Sequence, residues 1–285
     1  MTGNTSSGNP PGRETMEQER PLTPAERRRT KIRDIRMVLL FIGVSAMLVV
    51  AGWSAYNWYI KTPPYVDPQR YPVRGIDLSS HNGMLSFEGV REDGIEFVFL
   101  KASEGADFRD TNFRLNYDKA RKADLKVGAY HYFRFDKDGV SQALNLLRTI
   151  GARQLDLGIA VDVEDAGNAR GVPRDSIRER LSEMIDYLNL RGYRVTIYSN
   201  RDGYYDYLKE DFRGFPLWIC SFQSVPINDD WTFWQYYHHG KVKGIKGEVD
   251  LNVFSGSRKE WEEYLRQSTV TPRPAVSSRV SEENE

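Results

Sequence analysis

Cysteine is almost absent from this chain of 285 residues, which contains only Cys220. A single cysteine excludes an internal disulfide framework and any metal site that is built from several thiolates. Cys220 ends the apolar run 217–220, and a free cysteine in such a run packs as a small hydrophobic side chain. The sequence therefore predicts that Cys220 is buried and structural.

Histidine is scarce as well, and the few histidines are scattered along the chain. Neither the spacing H-x-x-H nor H-E-x-x-H occurs, so we expect no metal site and no cofactor. We predict that His131 lies in the core and that the pair before Gly240 lies in an exposed turn. The histidines are His81, His131, His238 and His239.

Net charge is also absent, because 40 Lys and Arg residues balance 40 Asp and Glu residues. This balance excludes a globally basic nucleic-acid-binding protein and a highly acidic, solvating protein. Aromatic residues make up 12% of the chain, which is too many for disorder over most of its length. We therefore expect a folded protein without a nucleic-acid partner.

Charged residues are missing altogether from residues 37–60. A helix of about 20 apolar residues crosses the hydrocarbon core of a bilayer, and aromatic residues gather at its interfaces. A buried core helix would need a polar face, and a cleaved signal peptide would begin nearer the amino terminus. Residues 37–60 are therefore predicted to be a single transmembrane helix in the cytoplasmic membrane.

The segments on either side of this helix are predicted from their composition. Residues 1–36 are polar and almost free of aromatic residues, so we expect a disordered tail, and the basic stretch 27–36 places it in the cytoplasm. Residues 61–72 are predicted to be a proline-rich linker, and residues 267–285 a disordered tail. The domain between them, residues 73–266, is expected to be periplasmic or otherwise extracytoplasmic.

Short apolar runs alternate with stretches of helical periodicity in residues 73–266. Strands that alternate with helices favour parallel βαβ units, and eight strands in one domain favour a closed barrel. The connections after Tyr198 are short for full helices, so we predict an α/β fold, a modified and partly irregular (β/α) TIM-like barrel. Predicted strands are 73–78, 97–101, 127–132, 158–164, 195–198, 217–221, 232–236 and 249–253, and predicted helices are 112–123, 140–155, 175–190 and 202–210.

Polar residues collect at the ends of these predicted strands. The active site of such a barrel lies at the carboxyl ends of its strands, and acids that meet there repel one another and are costly to bury. A structural role alone explains this cluster poorly. Its members are Asp77, Lys101, Glu104, Tyr130, His131, Tyr132, Asp162, Glu164, Tyr198, Gln235 and Asp250.

The sharpest local feature is the pair Asp162 and Glu164. Residues two apart in a strand face the same side, so the two carboxyl groups are expected to lie close together. Repulsion and burial raise the pKa of one member of such a pair, and this suits a general acid. Alone the pattern is weak, since an acidic helix cap or a metal site also explains it.

Aromatic residues near these acids fall into two groups. A ring beside carboxylates suits a sugar, whose apolar face stacks on the ring while its hydroxyl groups form hydrogen bonds. The candidates for this role are Tyr130, Tyr132 and Trp218. Core packing is expected for Phe97, Phe99 and Phe233.

Taken together, these features make the chain resemble the glycoside hydrolase family 25 lysozymes, the Chalaropsis-type muramidases. The resemblance covers about residues 73–265 and rests on seven short motifs in the right order. These are RGIDLS at 74–79 followed by HNG, FVFLKASEG at 97–105, GAYHYF at 128–133, AVDVE at 160–164, YSN at 198–200, WQY at 234–236 and VDLN at 249–252.

The resemblance implies a β-1,4-N-acetylmuramidase that acts on the glycan strands of peptidoglycan. It implies that Glu164 is the general acid and that Asp162 assists the 2-acetamido group of the substrate as the nucleophile, with net retention. It also implies that Asp77 and Asp250 are the other two active-site acids. The substrate-binding residues expected here are Tyr130, Tyr132, Tyr198, Trp218, Gln235, Lys101 and Glu104.

Two other functions remain open at this point. A catalytically silent peptidoglycan-binding module would keep the groove, but it would be expected to lose acids that this chain retains. A metal-dependent hydrolase would use His81, His131 and carboxylates, although their spacing is not that of an ordered metal site.

Overall fold

The structure is a computed structural model that describes residues 21–83, 85–222, 224–226 and 231–269. The chain divides into two compact units, Met1–Tyr59 and Ile60–Glu285. The disorder predicted for residues 1–20 and 270–285 lies outside the described residues.

The described part of the first unit is one long helix, α1, which spans Pro24–Ile60. By length and composition α1 is a candidate membrane span, and none of its apolar window is buried within the protein. The prediction of a disordered tail is wrong for residues 24–36, which are helical. The reason is local: Glu26 N donates to Thr23 Oγ1 at 3.3 Å, Thr23 N donates to Glu26 Oε2 at 2.8 Å, and Pro24 occupies the first helical position.

A closed barrel of eight strands forms the second unit, which confirms the predicted fold class. The strands are β1 Arg74–Leu78, β2 Ile95–Glu104, β3 Phe108–Arg109, β4 Lys126–Tyr132, β5 Ile159–Asp162, β6 Val195–Asn200, β7 Leu217–Cys220, β8 Trp231–Gly240 and β9 Val249–Phe254. Their order around the barrel is β1-β2-β4-β5-β6-β7-β8-β9, and β9 pairs with β1 to close it. The short strand β3 pairs with β2 outside the barrel.

One strand departs from the expected parallel arrangement. Strand β9 is antiparallel to both β8 and β1, whereas the other neighbours in the barrel are parallel. Residues 241–248 alone join β8 to β9, and a parallel crossover needs about a dozen residues or more. The start of β9 therefore lies at the rim where the parallel strands end, and Asp250 is its second residue.

Helices α2 to α7 follow the strands. They are α2 Phe87–Glu92, α3 Phe113–Lys122, α4 Gly139–Ile150, α5 Arg174–Leu190, α6 Arg201–Gly203 and α7 Arg258–Ser268. A π-helical turn, Tyr204–Leu208, continues α6. Helix α4 ends five residues before the predicted position 155, because Gly151 adopts a positive φ of 63° and reverses the chain. Helices α2 and α7 and strand β3 were not predicted.

Alternation along the strands separates two apolar layers. Outward-facing residues such as Val98 and Leu100 pack under the helices. Inside the barrel Phe97, Phe99 and Phe233 form a cluster with Trp218, and the ring centroids of Phe99 and Trp218 are 4.5 Å apart. The core packing predicted for these three phenylalanines is confirmed.

Close packing in the barrel depends on a small residue at one position of β1. A Cβ atom at Gly75 would lie 2.2 Å from Cε2 of Phe97. The aromatic cluster fills the part of the barrel nearer the amino ends of the parallel strands. Polar side chains further along the same strands therefore lie at the rim where these strands end.

Candidate active site

A cavity of about 480 Å³ opens at the rim of the barrel. Ten of the eleven catalytic and substrate-binding residues expected from the sequence line it, and Glu104 contacts it through Lys101, whose Nζ lies 2.8 Å from Glu104 Oε2. The lining residues are Asp77, Lys101, Tyr130, Tyr132, Asp162, Glu164, Tyr198, Asn200, Trp218, Cys220, Phe222, Gln235, His238 and Asp250.

Strand register explains why distant parts of the sequence meet here. Asp162 is paired with Tyr132 on one neighbouring strand and with Tyr198 on the other. Tyr198 is in turn paired with Trp218. Paired residues of a sheet face the same side, so each strand adds one side chain to the same level of the barrel.

Asp162 lies at the end of β5, at the bottom of the cavity. Only 9% of its surface is exposed, and its Oδ1 atom is buried without a hydrogen-bond partner among the described residues. Burial, and next the charge of Glu164, raise the pKa of Asp162 well above its usual value, while Lys101 opposes this shift. The Oδ1 atom of Asp162 is thus able to accept a hydrogen bond from a bound ligand.

Glu164 lies two residues beyond the end of β5, so strand β5 is shorter than the predicted range 158–164. It still lines the cavity together with Asp162, as predicted, and it is only partly buried. Burial, and next the charge of Asp165, raise the pKa of Glu164. A partly exposed carboxyl group with a raised pKa is able to reach a bound ligand and to carry a proton to it.

The chain segment that carries Glu164 is fixed by Asn168. The Asn168 amide donates to the carbonyl oxygens of Glu164 and Phe133, each at 2.9 Å, and its Oδ1 accepts from Phe135 N at 2.9 Å. Two of these hydrogen bonds join the segment after β5 to the segment after β4, and the third holds the Glu164 carbonyl within its own segment. Sequence analysis missed Asn168, because only the fold brings its partners together.

Asp77 and Asp250 form a second pair of acids across the cavity floor. They are direct partners on the antiparallel strands β1 and β9. Asp77 Oδ2 accepts from Gln235 Nε2 at 2.9 Å and from Asn252 Nδ2 at 2.8 Å. Burial raises the pKa of Asp77 to about 6, and burial together with the charge of Asp77 raises that of Asp250 to about 8.

This acid pair is supported by buried hydrogen bonds from the aromatic wall. Tyr198 donates its hydroxyl proton to Gln235 Oε1 at 2.9 Å, and Trp218 Nε1 donates to Asn252 Oδ1 at 2.8 Å. Tyr198, Trp218 and Gln235 are therefore connected to Asp77 through amide side chains. Asn252 belongs to a motif recognised in the sequence but was not predicted as a site residue.

Lys101 supplies a positive charge to this acidic cavity. Its Nζ lies 5.1 Å from the centre of the Tyr132 ring and is paired with Glu104. Arg134 Nη1 lies 3.6 Å from the other oxygen of Glu104. Glu104 therefore positions the Lys101 side chain through this ion pair and does not itself line the cavity.

Two expectations from the sequence are wrong. Cys220 is only half-buried and lines the cavity, since it lies two residues after Trp218 and faces the same way. His238 and His239 lie in strand β8 and not in a turn. His238 lines the cavity, and its ring centre is 4.3 Å from that of Phe222.

The core position predicted for His131 is confirmed. This ring is fully buried, with Nδ1 at 2.8 Å from Ser103 Oγ and Nε2 at 3.2 Å from Gln142 Oε1. Burial lowers the pKa of His131 to about 4. Among the residues that the structure describes, no group of three or more His, Cys, Asp and Glu side chains is arranged to hold a metal ion.

Comparison with known proteins gives one consistent result. The model of the glycosyl hydrolases family 25 matches residues 76–245. An autolytic lysozyme of Clostridium acetobutylicum is 36% identical over 185 residues, which is 64% of this chain and 56% of that lysozyme. This chain thus covers little more than half the length of that relative.

Solved structures agree with the family match. A family 25 glycosyl hydrolase from Bacillus anthracis is 33% identical with a TM-score of 0.66, and the match covers 71% of this chain and 96% of that one. The bacterial lysozyme from Streptomyces coelicolor is 29% identical with a TM-score of 0.61, over 69% of this chain and 96% of that one.

Proposed function

Because this chain belongs to the glycosyl hydrolases of family 25, we propose that it is a muramidase that cleaves peptidoglycan. The bond cleaved is the β-1,4 bond between N-acetylmuramic acid and N-acetylglucosamine. The observation that carries this proposal is the pair Asp162 and Glu164 in a cavity lined with aromatic rings, where both carboxyl groups have a raised pKa. Such a site suits a sugar ring and an acid-catalysed cleavage.

Glu164 acts as the general acid in this proposal. Burial raises the pKa of both Asp162 and Glu164, and the charge of Glu164 raises the pKa of Asp162 further, so the pair tends to keep a proton. When the acetamido N–H of the substrate donates to the unpaired Oδ1 of Asp162, negative charge is stabilised there. The proton then resides on Glu164, which faces the leaving glycosidic oxygen.

The reaction proceeds in two steps, formation of an oxazolinium ring and its hydrolysis. The acetamido oxygen of the muramyl residue attacks the anomeric carbon while the glycosidic bond breaks and Glu164 protonates the departing oxygen. The ionised Asp162 stabilises the positive charge of the resulting oxazolinium ring. Water, deprotonated by Glu164, then opens this ring at the anomeric carbon, so the configuration is retained.

Asp77 and Asp250 hold the other side of the substrate. A protonated Asp250 beside an ionised Asp77 offers both a donor and an acceptor to sugar hydroxyl groups. Tyr130, Tyr198 and Trp218 supply the apolar wall. In this proposal the partner of the cavity is peptidoglycan, and the residues named here carry the reaction.

Helix α1 anchors the enzyme in the cytoplasmic membrane in this proposal. The uncharged residues 37–60 cross the bilayer, and the basic stretch 27–36 remains in the cytoplasm. The barrel then lies outside the cytoplasm, where peptidoglycan is.

The decisive experiment is digestion of purified peptidoglycan by the full-length protein in detergent. The products are reduced with borohydride, so the sugar at each new reducing end becomes an alditol. A muramidase yields muramitol, and formation of glucosaminitol would instead indicate a glucosaminidase. Binding to peptidoglycan without any new reducing ends would identify a silent binding module.

A further inference from the structure

A second cavity of about 180 Å³ adjoins the catalytic cavity on the outside of the barrel wall. Cys220 lines both cavities. The outward-facing side chains of β7, Leu217 and Ile219, line the second cavity, whereas the inward-facing Trp218 lines the catalytic one. The end of β7 is thus a shared wall between the two.

This wall is held in place by hydrogen bonds. Ser221 N donates to the carbonyl oxygen of Gln235 at 3.0 Å, and Trp234 Nε1 donates to the carbonyl oxygen of Ser221 at 2.8 Å. Ser221 Oγ donates to the carbonyl oxygen of Ser224 at 2.9 Å. The second cavity therefore has a defined position relative to the catalytic cavity.

The two cavities differ in charge. Four carboxylates line the catalytic cavity. The described lining of the second cavity contains Arg201 and no carboxylate. The Arg201 side chain is exposed, and its guanidinium makes no hydrogen bond or ion pair within the described residues. A second cation lies nearby, since Lys209 Nζ is 4.7 Å from the centre of the Tyr205 ring, which also lines this cavity.

A ligand for this cavity must therefore combine apolar parts with a negative charge, and it must extend from the catalytic cavity. In peptidoglycan the lactyl group of a muramyl residue carries a short peptide that contains free carboxylates. If the proposed function holds, the muramyl residue occupies the catalytic cavity, so its peptide must leave over the rim.

We infer that the second cavity binds the acidic peptide attached to the muramyl residue, with Arg201 paired to a peptide carboxylate. This subsite makes the enzyme prefer glycan strands that still carry their peptides. A partly exposed ion pair contributes about 0.2–1 kcal/mol, which corresponds to a preference of about 1.4- to fivefold in kcat/KM.

The test compares two substrates with the full-length protein in detergent. One is peptidoglycan with its peptides, and the other is the same glycan after an amidase has removed them. The wild type should cleave the first about 1.4- to fivefold more efficiently. Arg201→Gln should cleave both equally well, at the rate of the wild type on the peptide-free glycan.

Two further variants complete the design. Ser224→Trp places a large ring in the cavity without removing the Ser224 carbonyl oxygen that Ser221 binds, so it should also abolish the preference. The matched control is Arg148→Gln, an exposed arginine on α4, which should keep the preference.

The outcomes separate the two hypotheses. Equal cleavage of both substrates by the wild type, or an Arg201→Gln protein that keeps the preference, overturns the peptide subsite while the muramidase function stands. An equal loss on both substrates in Arg201→Gln shows that the glycan itself occupies the cavity and also overturns it. Cleavage of neither substrate by the wild type contradicts the proposed function.

Discussion

Asp77 and Asp250 are direct cross-strand partners, although they are 173 positions apart in the sequence. They meet because β9 is antiparallel to β1, whereas the other barrel strands run parallel to β1. Burial and the charge of Asp77 raise the pKa of Asp250, and two amide side chains donate hydrogen bonds to Asp77. Two acids in this arrangement share a proton over most of the physiological pH range, because ionising both in a buried site is costly.

The free energy of unfolding should depend on this shared proton. Folding raises the pKa of Asp250 from 3.8 to about 8, so between these pH values the folded state binds more protons than the unfolded state. Stability should therefore fall as the pH rises from about 4 to about 8. Asp250→Asn imitates the protonated form, so the variant should lose part of this decline and be more stable than the wild type at pH 8.

Urea unfolding of the full-length protein in detergent, followed by near-ultraviolet circular dichroism at pH 5 and pH 8, measures this difference. Asp186→Asn, at an exposed position on α5, serves as the matched control. An Asp250→Asn protein with the same pH dependence as the wild type would contradict the assignment of the proton to this pair.

Glu164→Gln should lower kcat by about 10²–10⁴-fold, because glutamine keeps the shape and hydrogen bonding of glutamate but does not donate the required proton. KM and binding to peptidoglycan should change little. The release of new reducing ends measures the rate. Glu179→Gln, an exposed glutamate on α5, should be as active as the wild type. Normal turnover in Glu164→Gln would exclude this residue as the acid.

Asp162→Asn should be impaired as severely, for a different reason. The asparagine amide places no negative charge beside the oxazolinium ring. The variant also lacks the ionised carboxylate that accepts the hydrogen bond from the acetamido N–H. Peptidoglycan whose acetamido groups have been removed should be a poor substrate for the wild type and no worse for Asp162→Asn. If Asp162→Asn loses as much activity on the deacetylated glycan as on the acetylated one, Asp162 acts independently of the acetamido group.

Asn168→Ala should reduce kcat more than it changes KM. The variant removes the hydrogen bonds that fix the Glu164 backbone, so the acid loses its position while the aromatic wall stays intact. A loss of about tenfold is expected, since small displacements of a catalytic group are costly. Steady-state kinetics with a soluble glycan measure both constants, and a pure rise in KM would show that Asn168 serves substrate binding instead.

Membrane topology is tested with a reporter fused to the carboxyl terminus. A reporter that is active only outside the cytoplasm should be active in this fusion, because the basic stretch 27–36 keeps the amino end inside. Replacing the basic residues of 27–36 by glutamine provides the comparison and should weaken this orientation. Reporter activity in the cytoplasm would contradict both the orientation and the access to peptidoglycan.

Much of the site was predictable because strand residues alternate in direction. Once the predicted strands 127–132 and 158–164 were placed, the inward positions of Tyr130, Tyr132 and Asp162 followed. The same rule extended by two residues from Tyr198 and Trp218 points to Asn200 and Cys220, both of which line the cavity. For Cys220 the apolar neighbours in the sequence led us to predict a buried side chain. That prediction was wrong, because the direction in which a strand residue faces decides its surroundings.

Local sequence by itself thus determined the eight barrel strands, the uncharged helix, the acids at the rim and the family to which the barrel belongs. Only the tertiary structure decided the reversed direction of β9, the hydrogen bond from Asn168 to Phe133 and the second cavity at Arg201. Hydrophobic periodicity and residue types are properties of short stretches of chain, so they can be recognised in the sequence alone. Pairing between strands and hydrogen bonds over 30 or more residues depend on how the whole barrel closes, which no local pattern contains.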